Sequence, residues 1–164
     1  EMRLLLGCAA LFCLSLGASA ATLPDQYFGH FVLDHSENFD EYLEAKGYSW
    51  FTRKLIVFAT FEKIFKKSEG SPDRFDYDNL TTKKNVYYKN IELGKEFIGE
   101  GLDSTNHKIT FTLKDGKMYE KHVPVDPKAE AKEEEYIYYF DNDFLVLEME
   151  ANKIIGKRFY KRKN

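Results

Sequence analysis

The sequence predicts an all-β protein: about ten short antiparallel strands closed into a barrel, with one pair of helices inserted after the first strand. Three observations carry this reading. Aromatic residues make up 16% of the 164-residue chain, with 11 Tyr, 14 Phe and 1 Trp, and aromatics are favoured on pleated strands. Past residue 60 the apolar residues alternate between turn-forming residues, as on half-buried strands. The one stretch with three- and four-residue spacing lies between 36 and 59.

The elements follow in chain order. A short strand is expected from Tyr27 to Leu33. Ser36 to Lys46 then places Phe39, Tyr42 and Leu43 at helical spacing, with Gly47 as a stop. Asn38 with Glu41 three residues on forms a candidate capping box, and Ser36 is the alternative cap. A second helix over 49–59 is capped by Ser49. Phe51, Leu55 and Phe58 share one of its faces and Arg53 and Lys54 the other. Strands are expected at 60–67, 74–80, 86–92, 96–101, 107–114, 117–124, 135–141, 144–151 and 154–162. Asp115-Gly116, between two alternating segments, is the strongest hairpin signal in the chain. That many strands avoid long unpaired edges by closing on themselves. The acidic, Ala/Glu/Lys-rich insertion 124–135 reads as a solvated loop.

Charge and composition narrow the functions. With 24 Lys+Arg against 27 Asp+Glu, net −3, the chain has no broad basic field to hold a nucleic-acid backbone. Residues 2–20 have the form of a secretory signal: Arg3, the apolar run Leu4 to Leu16, and the small-residue pattern Ala18-Ser19-Ala20. That run is short of the roughly 20 residues a membrane-spanning helix needs. The mature product is expected to be secreted and extracellular, a single domain over 21–164 with cleavage after Ala20. Both cysteines, Cys8 and Cys13, leave with the signal, so the mature chain has neither a nucleophilic thiol nor a disulfide. No Gly-x-Ser-x-Gly elbow or phosphate-cradling glycine loop is present, and His30, His35, His107 and His122 lack metal-ligand spacing. Neither an enzyme nor a metal or cofactor is expected. Asn79 opens the sequon Asn79-Leu80-Thr81, a candidate glycosylation site near a strand end.

The terminal strand holds the residue that most needs an explanation. Alternation along 154–162 puts Gly156, Arg158 and Tyr160 on one face and Lys157, Phe159 and Lys161 on the other. If the first face is interior, a guanidinium there is costly unless it meets an anion, and a carboxylate fits its fork. Tyr160, and Tyr138 from a neighbouring strand, would add hydroxyl donors. The alternative is an ordinary basic strand end with its cations in water.

Several segments then carry a resemblance: YFGHF at 27–31, SENFDEYL at 36–43, Gly47, TRK at 52–54, LGKEF at 93–97 and RFY at 158–160. In order and spacing they resemble the fatty-acid-binding protein family, over nearly all of the mature chain. Joined to an export signal, they are most similar to its secreted nematode branch. The resemblance implies a calycin-like, ten-stranded antiparallel β-clam barrel capped by a helix-turn-helix after the first strand, enclosing one long-chain fatty acid such as oleate. Phe31 departs from the Trp of many members, and the segments 66–74 and 124–135 are longer than usual. Tyr138 stands where many members have a second inward basic residue.

On this resemblance Arg158, Tyr160 and Tyr138 hold the ligand carboxylate. Tyr136, Phe140, Leu147 and Met149 line the cavity, and Phe39, Leu43, Thr52, Ile56 and Ala59 line the underside of the cap. Arg53, Lys54 and Lys63 give the cap a basic outer face for transient contact with anionic membranes, or only a solvated one. The expected function is noncovalent carriage of a long-chain fatty acid by a monomer in extracellular, perivitelline, fluid. The alternatives are a carrier of retinoids or other hydrophobic ligands, and a protein-interaction barrel that uses its extended loops.

Overall fold

The computed structural model describes residues 21–128 and 131–163; the expected export segment 2–20 lies outside them. Ten antiparallel strands form one sheet: β1 (Gly29–Glu37), β2 (Phe61–Ser68), β3 (Ser71–Thr81), β4 (Val86–Ile91), β5 (Phe97–Glu100), β6 (Asn106–Lys114), β7 (Lys117–Pro124), β8 (Glu134–Asp141), β9 (Phe144–Ala151) and β10 (Ile154–Arg162). Two helices, α1 (Phe39–Ala45) and α2 (Trp50–Phe58), follow β1, and a 3-10 turn at Asp25–Tyr27 precedes it. The spatial order is β4-β3-β2-β1-β10-β9-β8-β7-β6-β5. Because β1 pairs with both β2 and β10, first and last strands join and the sheet curls into a nearly closed barrel. Its two free edges, β4 and β5, line a cleft of about 540 Å³. The Tyr88 hydroxyl spans that cleft, donating to the Glu100 carbonyl at 3.0 Å.

Turn chemistry sets the register. Asp115 and Gly116 take φ values of 52° and 76°, the left-handed pair that a two-residue hairpin needs to match strand twist. Between β2 and β3 the turn Glu69-Gly70 has one left-handed residue, Gly70 at φ 71°. That turn is tighter than the sequence suggests: β2 runs to Ser68 and β3 starts at Ser71. Most of the expected loop 66–74 is therefore paired strand, carried through a register shift between Lys67 and Ser68. The insertion 124–135 is a true connection between β7 and β8.

The entry to the cap also differs from expectation. Tyr27 belongs to the 3-10 turn, and β1 continues to Glu37 because a register shift between Leu33 and His35 lets it stay paired with β10. Asn38 is the N-cap of α1, but its backbone is left-handed (φ 48°) and its side chain makes no capping hydrogen bond. The expected capping box does not form: the sharp corner from strand to helix takes the residue's tolerance of positive φ and gives up its cap. Ser49 does cap α2, accepting from the Thr52 amide at 3.3 Å.

The barrel closes at the end away from the cap through Tyr27, whose hydroxyl bonds the carbonyls of Gly116 and Tyr138, each at 3.1 Å. Phe140 packs edge-on against the Tyr27 ring at 5.2 Å. The opposite end is covered by α1, whose Phe39, Tyr42 and Leu43 are buried. Gly156 of β10 is what lets α1 lie so close. A Cβ there would come within 2.8 Å of the Tyr42 Cβ and 3.3 Å of the Asn38 carbonyl oxygen. Gly156→Ala should cost about 1–3 kcal/mol through overpacking, read by urea denaturation. The amides of α1 should exchange faster while those of β7 and β8 keep their relative protection.

Candidate ligand-binding site

β10 places Arg158 and Tyr160 on its inner face, as alternation requires. Arg158 is 3% exposed, and its guanidinium carbon lies 4.1 Å from the ring centroid of Phe39 in α1 and 3.9 Å from that of Phe61 in β2. The cation is thus clasped between two aromatic faces directly beneath the cap. Its Nε has no hydrogen-bond partner, and among the described residues it pairs with no carboxylate. Burial lowers its affinity for the proton, with Tyr160 acting the other way. Tyr160 is fully buried and its hydroxyl has no partner. Burial pushes that hydroxyl up to about 12, so it is a neutral donor at physiological pH.

A second polar group crosses the same interior. The Lys63 ammonium on β2 donates to the Tyr77 hydroxyl at 2.7 Å. Tyr77 and Tyr138 hydroxyls are 3.2 Å apart, and Tyr138 donates to Glu120 Oε2 at 2.6 Å. Since Tyr138 has one proton to give and gives it to Glu120, Tyr77 is the donor between the two tyrosines. Donation therefore runs one way, from Lys63 through Tyr77 and Tyr138 to Glu120. The other Glu120 oxygen bonds His122 Nε2 at 2.8 Å. His122 in turn lies 5.4 Å, ring to ring, from His107, which is tied to Asp103 at 3.0 Å.

Burial alone would raise the Glu120 carboxyl, but the bond and charge of His122, the charge of Lys63 and the Tyr138 hydroxyl outweigh it and hold the group below its usual value. Lys63 goes the other way. Burial pushes it down to about 8, with Glu120 opposing and Arg158 adding to the fall. Burial, then the Glu120 charge, raises Tyr77 and Tyr138 far above the usual tyrosine value.

Lys63 corrects the sequence reading. It was expected on the outer basic face of the cap, yet it is 3% exposed and points into the barrel, because β2 alternates Phe61, Lys63 and Phe65 inward. Arg53 is not free for an anionic surface either: it is the buried residue of α2 and forms ion pairs with Asp40 at 3.3 Å and Glu44 at 3.1 Å. Lys54 pairs with the same Asp40 at 3.2 Å. The face of α2 that bears Phe51, Leu55 and Phe58 is exposed, at 66%, 59% and 83%. Tyr138 holds the interior position expected of it, but its proton is committed to Glu120.

The remaining candidates fall into two groups. Phe39, Leu43, Leu147 and Met149 are buried in the core, and Tyr136, Phe140 and Ile56 pack against it. Thr52 bonds its hydroxyl to that of Ser49 at 3.0 Å, so it serves the helix cap, and Ala59 ends α2. Asn79 is buried within β3, its Oδ1 without a partner. A side chain so placed takes a glycan only before the strand has paired. Tyr77, Glu120 and His122 were missed, although the inward alternation of Met118, Glu120 and His122 on β7 was readable from the hairpin register.

A nearly closed ten-stranded barrel with a two-helix cap and ionisable groups turned inward defines the class of small lipid-binding β-barrels. No protein-family model matches the chain. It is 60% identical to fatty acid-binding protein homolog 1 of Caenorhabditis elegans, over 94% of this chain and 96% of that relative. It is 47% identical to a fatty acid-binding protein homolog of Ascaris suum, over 87% and 88%. The solved structure of As-p18, an extracellular fatty acid binding protein, superposes with a TM-score of 0.82 at 46% identity, over 87% of this chain and all of that one. The chain belongs to the fatty-acid-binding protein family.

The tyrosine relay makes a test of its own. Tyr138→Phe leaves the buried Glu120 carboxylate one donor short, at a cost of about 1–3 kcal/mol. The folded-state value of Glu120 is below the unfolded one, so its contribution is complete above the ordinary carboxylate range and disappears as pH falls through the folded value. The variant raises that folded value, so its acid unfolding should begin at higher pH than the native protein's, followed by circular dichroism.

Proposed function

We propose that the protein is a secreted carrier that holds one long-chain fatty acid, such as oleate, noncovalently inside its barrel. The carrying observation is a buried guanidinium and a buried hydroxyl, Arg158 and Tyr160, with no hydrogen-bond partner at Nε or OH. A carboxylate brings the two acceptor oxygens those donors lack. Burying about sixteen methylenes at ~0.8 kcal/mol each gives ~13 kcal/mol gross, less the costs of association and ordering. That gross gain is large enough to leave sub-micromolar affinity where those costs stay under about 5 kcal/mol. The names of the relatives, one of them extracellular, support the ligand class and the compartment. The export pattern at 2–20 supports secretion, into perivitelline or comparable extracellular fluid.

Transfer by contact with a bilayer is a second, compatible reading. It rests on the exposed Trp50, Phe51, Leu55 and Phe58 of α2, an apolar and aromatic face suited to the headgroup boundary of a membrane. The drive is apolar insertion rather than attraction of the paired Arg53 and Lys54. Phe51→Ser with Phe58→Ser should slow delivery of a fluorescent fatty acid to phosphatidylcholine vesicles severalfold and leave equilibrium affinity unchanged.

The ligand itself is tested by displacing a fluorescent fatty acid from delipidated protein. Arg158→Leu should weaken the acid about ten- to hundredfold, the loss of a charge-assisted hydrogen bond worth ~1.5–3 kcal/mol. An alcohol of the same length should lose much less. Equal losses for acid and alcohol would place the headgroup elsewhere, and tighter binding of retinol than of any acid would favour a retinoid carrier.

A further inference from the structure

The barrel holds a charge that Arg158 alone does not account for. Lys63 is buried, bonds only a neutral hydroxyl, and has no carboxylate partner among the described residues. Its ammonium sits at the hydroxyl end of Tyr77 and near two further tyrosine rings, with centroids at 5.5 Å for Tyr138 and 5.7 Å for Tyr160. Such a box stabilises a cation but does not neutralise it. Glu120 is the anion nearest in the network, and two hydroxyls separate it from Lys63. Among the described residues the interior therefore carries Arg158 and Lys63, with His122 on Glu120 besides, against that one carboxylate, and is short of negative charge.

The two cations also converge. Phe61 and Lys63 on β2, and Arg158 and Tyr160 on β10, form the corners of one interior patch spanning β1. Lys63 reaches the Tyr160 ring while Arg158 reaches the Phe61 ring, so the side chains cross toward each other. Two strand spacings, roughly 10 Å in all, are within the combined reach of a lysine and an arginine. A carboxylate arriving at the Tyr160 hydroxyl enters the space that both cations border.

We propose that Lys63 is the second recognition cation of the headgroup site, its ammonium turning from the Tyr77 hydroxyl to join Arg158 on a ligand that carries one negative charge. This rests on the fatty-acid reading above and sharpens it: the barrel selects monoanionic amphiphiles over neutral ones by charge balance as well as by hydrogen bonding. The groups facing Lys63 are Tyr77 from β3, Glu120 from β7, Tyr138 from β8, and Arg158 and Tyr160 from β10. The three tyrosines titrate well above pH 9 and Glu120 well below 7, and Arg158 stays charged throughout. Lys63, at about 8, is the member of this group that changes charge between. A bound anion needs it protonated, so binding must take up a proton once the free protein has lost it.

The experiment measures oleate and oleyl alcohol affinity by displacement of a fluorescent fatty acid at pH 7, 8 and 9, on the delipidated chain. For native protein, oleate should weaken about fivefold between pH 7 and pH 9, as linkage of a tenfold charge effect to a group near 8 requires, while oleyl alcohol stays level. Lys63→Met should bind oleate about tenfold more weakly at pH 7 and show no slope, with the alcohol little changed. Lys63→Arg should restore the affinity at pH 7 and remain without a slope. Native affinity and native slope in both variants would overturn the assignment of Lys63 and leave the carrier reading standing. Failure of native protein to prefer oleate to the alcohol at pH 7 would instead overturn the carrier reading, and this proposal with it. Should Lys63→Met fail to fold, Lys63→Arg decides alone: a retained slope overturns the proposal, and its loss supports it.

Discussion

Keeping positive charge inside an apolar barrel is the constraint around which the interior is arranged. An ammonium or guanidinium out of water costs several kcal/mol even after relaxation, and this barrel holds one of each. The remedy is aromatic. Phe39 and Phe61 sandwich Arg158, and Tyr77, Tyr138 and Tyr160 surround Lys63. The high Tyr and Phe content of the chain, which predicts strands from propensity alone, serves electrostatics as well as packing. A tyrosine is the suitable residue for both tasks, with a π-face for the cation and a hydroxyl to pass on a hydrogen bond.

The same constraint explains why Glu120 is inside at all. A lone buried carboxylate would neutralise itself by binding a proton, but His122, Tyr138 and the charge of Lys63 keep it ionised. Glu120 offsets part of the interior charge from across the barrel. Distance keeps the offset incomplete: among the described residues no direct ion pair forms with Lys63, and Arg158 meets no anion. Had Glu120 closed on either cation, the donors would be consumed internally and the barrel would favour an empty interior.

Much of the fold was legible in the sequence because its determinants are local. Alternation, the Asp115-Gly116 turn and the Ser49 cap each involve residues within a few positions of one another, and each was found as expected. The misreadings have nonlocal causes. Asn38 gives up its cap because β10 holds β1 in register as far as Glu37. Loop 66–74 became strand because the β2–β3 pairing extends through Lys67 and Ser68. In the site, Arg158 and Tyr160 were legible from alternation on one strand. Lys63 is harder to place, because a lysine just after a helix resembles a surface charge, although Phe61 and Phe65 on either side fix its face. The relay from Tyr77 to Glu120 links β3, β8 and β7, and no spacing within a single segment encodes it.

The cap shows how the buried charge reaches the outside of the protein. In an ordinary surface helix the apolar stripe faces the core, yet α2 turns Arg53 inward and leaves Phe51, Leu55 and Phe58 in water. Arg53 and Lys54 bind Asp40 and Glu44 of α1, so the two helices are joined to each other by charge. Against the barrel the cap is held chiefly by α1 at Gly156 and by the stack of Phe39 on Arg158. That stack makes Arg158 a structural contact of the lid. An anion that drew Arg158 toward itself would disturb the Phe39 face, so the charge balance of the interior and the position of α1 depend on the same side chain. The exposed apolar face thus lies on α2, which is tied by charge to α1, the helix that rests on Arg158.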